Sequence, residues 1–245
     1  MNDVYHGLRR SDRGAARPAG GRKAGAIARA WTSRAASMAP MGDLRITVVR
    51  GSLTDGKETL LVNASNTNVA LGTGVSGAIR RACGEGYQEH IEALLHASHG
   101  GPMDPGNVLI TDAGEHPTAR WVAHVAVMDY RRGFTGQSFP TLEVIRRCCT
   151  NLWKAVAELP EDVTVAMVGL GAGTGQLGVR KPTEIACETL LARAPARVTG
   201  VTFYGFTLPE FLAMVATVTR FFPAADCALS AEERELVASM RREVS

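Results

Sequence analysis

The sequence predicts an α/β domain in which a central sheet is packed by helices on both faces. Three observations carry this. Short runs rich in valine, isoleucine and leucine alternate with amphipathic stretches of helical length over residues 42–222. Two of those runs are followed directly by glycine-rich loops. The chain has 245 residues, 45% hydrophobic and 21% charged, the size and balance of an ordinary globular protein.

Residues 44–49, LRITVV, alternate as a strand does, and 59–62, TLLV, form a second strand. Val75, Ala78, Ile79 and Ala82 recur at helical spacing, so a helix begins near Val75 and stops at Gly84. Tyr87, Ile91, Leu94 and Leu95 line the next helix, which ends at Gly100-Gly101. Strands follow at 107–111 and 121–128. After Pro140 a helix turns Leu142, Ile145, Cys149, Leu152, Trp153 and Val156 inward. Residues 163–168 form a strand, Pro182 opens a helix at an early position, and 200–204 form the last strand. Pro209 then opens a helix with Leu212, Val215, Val218 and Phe222 inward. The tail, 223–245, carries a capping-box pattern from Ser230 to Glu233 that predicts a short terminal helix.

Residues 1–40 are different in kind. Eight Arg and Lys stand there against Asp3 and Asp12, without apolar periodicity, which reads as a disordered basic leader. A targeting peptide, or a start at Met38 or Met41, are the other readings of this segment. The net charge of +3 resides in the leader, and the body is slightly acidic. Nucleic acid is therefore not an expected partner except through the leader. No apolar run approaches the roughly 18 to 20 residues of a membrane-spanning helix, so no membrane association is expected. Cys83, Cys148, Cys149, Cys187 and Cys227 are an odd count without C-x-x-C spacing, which reads as reduced core thiols of a cytoplasmic protein. His90, His96 and His99 lack a usual metal spacing and no metal site is expected. His124, within a strand, reads as a core histidine, and Arg131-Arg132 as a solvated loop tip.

The two glycine loops carry the functional signal. In VNASNTNVALGTGVSGAI the glycines sit at a helix N-terminus, where free amides and the helix dipole favour an anion. Asn63, Asn66 and Asn68 can donate to and accept from hydroxyls at once. A polyhydroxylated, phosphorylated ligand fits both features, and a plain strand-to-helix turn is the competing reading. The second loop, VGLGAGTGQLG from Val168 to Gly178, again follows a buried strand. It matches G-x-G-x-x-G, but Pro182 opens the helix too late, and no acid ends the next strand, for a dinucleotide fingerprint. Ligands bind outside the carboxyl ends of such strands, so the two loops can grip one diphosphate from both sides.

Asn63-Ala-Ser-Asn66 followed by Gly72-Thr-Gly74-Val-Ser-Gly77-Ala-Ile resembles the signature of the macro-domain family of ADP-ribose binders. Gly173-Thr-Gly175-Gln-Leu-Gly178 resembles that family's second loop, and Phe203-Tyr-Gly-Phe206 its last strand. The resemblance implies a three-layer α/β/α fold with a mixed central sheet over residues 42–222. It implies ADP-ribose, a related nucleotide or an ADP-ribosylated protein as partner, with no cofactor. The implied ligand-binding residues are Asn63, Asn66, Gly72, Gly74, Val75, Ser76, Gly77, Gly173, Thr174, Gly175, Gln176, Leu177 and Phe206. Asn66 would bond the distal ribose, the amides of residues 173–175 the phosphates, and Phe206 would flank the adenine.

Three departures from the family pattern bear on activity. Ser52 stands where many members have an aspartate that accepts from the adenine amino group, with Asp55 close but shifted. Ser76 replaces the aspartate of the bacterial-type hydrolases, and a serine cannot take up a proton at neutral pH. Gln176-Leu177 replaces an aliphatic–aromatic pair. Hydrolysis of mono-ADP-ribose would then rest on positioning by Asn66 and Gly74, with a water placed by the ligand's own phosphate. The alternatives are a macro fold binding NAD or a cyclic ADP-ribose derivative, and a non-catalytic interaction module.

Overall fold

The structure, a computed structural model, describes residues 44–242; the basic leader lies outside the described residues. Six strands form one sheet: β1 (Arg45–Arg50), β2 (Leu60–Asn66), β3 (Val108–Asp112), β4 (Trp121–Met128), β5 (Val163–Met167) and β6 (Val198–Gly205). Their order across the sheet is β1-β6-β5-β2-β4-β3. All neighbours pair parallel except β3 with β4, which pair antiparallel, so the sheet is mixed.

Six α-helices connect and cover it: α1 (Gly74–Ala82), α2 (Tyr87–His99), α3 (Leu142–Ala157), α4 (Arg180–Arg193), α5 (Leu208–Phe221) and α6 (Ala231–Arg242). Ile79 of α1 and Tyr87, Ile91 and Leu95 of α2 pack on one face of the sheet. Ile145, Leu152 and Trp153 of α3, Leu190 of α4, Phe211 and Val215 of α5 and Val237 of α6 pack on the other. That is a three-layer α/β/α arrangement. Each large apolar side chain fully buried this way contributes about 1.5–3 kcal/mol.

Thr141 and Thr207 start α3 and α5, each accepting a hydrogen bond from an amide of the first turn. Leu142, expected inward, is exposed, because it lies in the first turn of α3 before the helix reaches the sheet. The larger difference concerns β2. It continues past Val62 through Asn66, so the asparagine-rich segment begins as strand rather than turn. Leu61 and Asn63 face the α1–α2 side, and Leu60 and Val62 face the other.

The segment after α5 returns to the sheet. Val48 donates its amide to Asp226 O at 2.8 Å and Asp226 donates to Ile46 O at 2.9 Å, a short parallel bridge along the free edge of β1. α6 follows, with Val237 buried and Arg180 Nη2 donating to Met240 O at 3.0 Å. No helix among the described residues is long and apolar enough to cross a membrane.

Candidate functional site

The parallel strands place their carboxyl ends along one rim, and β2 and β5 are neighbours there. The helix after β2 crosses to one face of the sheet and the helix after β5 to the other. A crevice must open where two adjacent strands send their connections apart. A cleft of ≈ 780 Å³ does open there, lined by Thr73–Ser76, Gly171–Gly175, Gly51–Asp55 and Phe206, with Val127 and Met128 at the end of β4.

The first loop is held mainly by side chains. Asn66 Oδ1 accepts from the amides of Asn68 (3.1 Å) and Ala70 (3.2 Å), and Asn66 Nδ2 donates to Ala70 O at 2.9 Å. Gln88 on α2 reaches across to accept from Leu71 N at 2.7 Å and to donate to Val69 O at 3.2 Å. Val69 is thereby kept at φ 55°, a conformation few β-branched residues adopt. Gly77 lies under the Gly72 carbonyl, where a Cβ would approach the oxygen to 2.6 Å. The loop then enters α1 through Gly74 at φ 59°. Thr73 supplies no side-chain cap, so the amides of residues 74–76 have no partner among the described residues. Free amides at a helix start form an anion site.

The second loop is held by its own backbone. Ala172 donates to Gly169 O, Gln176 to Gly173 O and Leu177 to Gly171 O, at 3.0, 2.9 and 3.1 Å. Gly175 packs on Gly171 so closely that a Cβ would sit 2.6 Å from Gly171 O. Gln176 takes φ 59°. The amides of Gly173, Thr174 and Gly175 are left without partners among the described residues, and these residues line the cleft opposite α1. Successive unpaired amides in such a turn form a nest for an anion.

At the far end, Ser52 Oγ lies 2.8 Å from Thr54 Oγ1 and accepts from Thr54 N at 3.4 Å. Asp55 is exposed and lines the cleft with it. Tyr204 lines the same end and donates its hydroxyl to Glu58 Oε2 at 2.9 Å. Phe206 is 74% exposed at the rim, an aromatic face held out to solvent. Arg81 also lines the cleft and has no hydrogen bond or ion pair among the described residues.

Of the residues the sequence singles out, Gly74, Val75, Ser76, Gly173, Thr174, Gly175 and Phe206 line this one cleft. Gly72, Gly77, Gln176 and Leu177 belong to the same loops without lining the cleft. Asn66 braces its own loop. Asn63 is fully buried in β2, where its Oδ1 accepts from Ser76 Oγ at 2.9 Å and its Nδ2 faces His124 Nδ1 at 3.1 Å. Burial of His124 lowers its pKa to about 3, so it is neutral and no surface base. His90 pairs with Asp112 Oδ2 at 2.8 Å on the surface. Burial raises the Cys83, Cys149 and Cys187 thiols to about 12, leaving no reactive thiolate among these three. Sequence reading passed over Arg81. Its signal was its place on one helix stripe with Val75 and Ala78.

The model of the macro domain family matches residues 62–186, which include both glycine loops, all of β5 and β2 from Val62 onward. This chain belongs to the macro domain family. A relative from Aeropyrum pernix is 32% identical over 157 residues, covering 64% of this chain and 75% of that protein. Among solved structures, the Oceanobacillus iheyensis macrodomain with ADP is similar at TM-score 0.62 and 18% identity, covering 77% of this chain and 97% of that one. The Trypanosoma brucei macrodomain in complex with ADP-ribose is similar at TM-score 0.56 and 19% identity, covering 77% and 84%. In this macro domain both glycine loops of the matched segment contribute to the cleft lining.

Proposed function

We propose that this macro domain binds ADP-ribose, free or attached to a protein, in the cleft between its two glycine loops. The observation that carries the reading is the pair of unpaired amide sets, residues 74–76 and 173–175, on opposite walls of one cleft. A diphosphate is the group that two such sets accept together, with amide hydrogens as donors and no counter-charge needed from a metal. The distal ribose then lies toward Gly72–Ser76, and the adenine toward Phe206, which is free to stack. The solved relative from Trypanosoma brucei holding ADP-ribose supports this assignment.

Titration calorimetry with ADP-ribose tests it. Micromolar affinity, about −8 kcal/mol, is expected, and an absence of heat at millimolar ligand overturns it. Ser52 favours a second reading at the base end. Its hydroxyl is engaged by Thr54, and the carboxylates that line the cleft are those of Asp55 and Glu210. Such an end is less committed to an exocyclic amino group, and NAD or a cyclic ADP-ribose derivative becomes the competing ligand. A thermal-shift panel of these nucleotides against ADP-ribose separates the two.

A further inference from the structure

Behind the cleft wall a chain of buried polar groups runs from Ser76 along the α1–α2 face of the sheet to its β3 edge. Ser76 Oγ bonds Asn63 Oδ1 at 2.9 Å, Asn63 Nδ2 faces His124 Nδ1 at 3.1 Å, and His124 Nε2 lies 3.3 Å from both Tyr87 Oη and Thr111 Oγ1. Those two hydroxyls are 2.8 Å apart, and both reach the Asp112 main-chain carbonyl, at 3.1 and 2.8 Å. Every side chain in the chain is buried. Of these residues, Ser76 also lines the cleft.

The far end has one arrangement that satisfies every contact, and in it one hydroxyl donates to Asp112 O. The other hydroxyl donates across the 2.8 Å contact. Both hydroxyl protons are then used, and the ring nitrogen facing them brings its own. The amide decides the tautomer: Asn63 Oδ1 accepts from Ser76 Oγ, so Nδ2, a donor, faces His124 Nδ1 and meets a lone pair there only if the ring proton is on Nε2. The Cys83 thiol also lies against Tyr87 and, as a weak donor and acceptor, leaves this count standing.

The neutral ring has one proton, so with Nε2–H its Nδ1 carries the lone pair. Asn63 turns Nδ2 to the histidine and Oδ1 to Ser76, and the Ser76 hydroxyl hydrogen points inward. We propose that Ser76 faces the cleft as an acceptor only, its polarity set through the positioning residues Asn63 and His124. It would thereby select ligands that bring a hydroxyl hydrogen to this point over those that bring a carbonyl or phosphate oxygen. The selection part rests on the binding reading above; the polarity does not. ADP-ribose offers such hydroxyls on its second ribose, and ADP ends before it.

Two measurements test this. Nitrogen–proton correlation spectra of isotope-labelled protein should show His124 as a neutral ring with its proton on Nε2 across about pH 5 to 8; a proton on Nδ1 overturns the proposal. Calorimetry of Ser76→Ala should show about a three- to tenfold loss for ADP-ribose with ADP unchanged, and Ser76→Thr should retain most of the affinity. Equal loss for both ligands, or none, overturns it. In Tyr87→Phe/Thr111→Val both acceptors at Nε2 are gone, so the tautomers should mix and the preference for ADP-ribose should fall, although neither substitution touches the cleft. If neither nucleotide binds the native protein, the binding reading fails, while the tautomer still decides the polarity.

Discussion

The two glycine loops present similar rows of free amides but are stabilised in opposite ways. The loop before α1 hangs on the side chains of Asn66 and Gln88 and rests on a buried chain of hydrogen bonds that contains a histidine. The loop before α4 hangs on its own backbone, with Gly175 pressed on Gly171. Side-chain support can be adjusted residue by residue, and here it connects the loop to a titratable group. Backbone support tolerates almost any side chain that points outward and none at the point of closest approach.

The sharpest way to break the comparison is Gly175→Ala. A Cβ 2.6 Å from Gly171 O cannot be accommodated by rotating a side chain, so the loop must open. Overpacking of this kind costs about 3 kcal/mol, to be read from urea unfolding, with loss of nucleotide binding. A mild effect would mean that the second loop is less rigid than its backbone bonds imply.

The next effect belongs to the first loop alone. His124 keeps a pKa of about 3 in the fold against an ordinary value of 6.5. Below 6.5 the unfolded chain takes up a proton that the folded chain refuses, so stability falls as pH drops toward 3. By pH 5 the loss is about 2 kcal/mol, measurable as a lowered urea midpoint between pH 7 and pH 5. An unchanged midpoint would show that the ring is protonated in the fold.

Asn66→Ala removes three loop hydrogen bonds at once. About 1–2 kcal/mol of stability should go, with weaker ADP-ribose binding and hydrogen exchange that quickens in residues 67–72 but not in 169–178. Gln176→Gly is the smallest change. It relieves a left-handed residue at φ 59° but frees the unfolded chain, and the two effects should cancel to within about 0.5 kcal/mol.

These contrasts also mark what the sequence could and could not tell. The strand–helix alternation and the glycine loops were legible because periodicity and glycine act over a few residues. Asn63 was not, for its partners His124 and Ser76 lie 61 and 13 positions away, and a buried asparagine in a strand looks like a turn residue until those partners are placed. For the same reason β2 seemed to end at Val62. Asp55 was noticed only as a displaced acid, and the short 3-10 turn over Leu53–Asp55 is what sets it on the cleft lining. Gly173 and Gly175 look equivalent in sequence, yet one faces open space and the other a carbonyl.

The short bridge at Asp226 has a consequence for how the molecule behaves among its own copies. β1 is the border of the sheet, and an uncovered border strand offers a row of amides and carbonyls that any extended chain can zip onto. Capping it with residues from beyond α5 removes that template. A chain cut after Phe222 should keep its cleft and yet form soluble clumps as concentration rises, visible as growing light scattering, an outcome that would assign the last stretch of sequence to solubility rather than ligand capture.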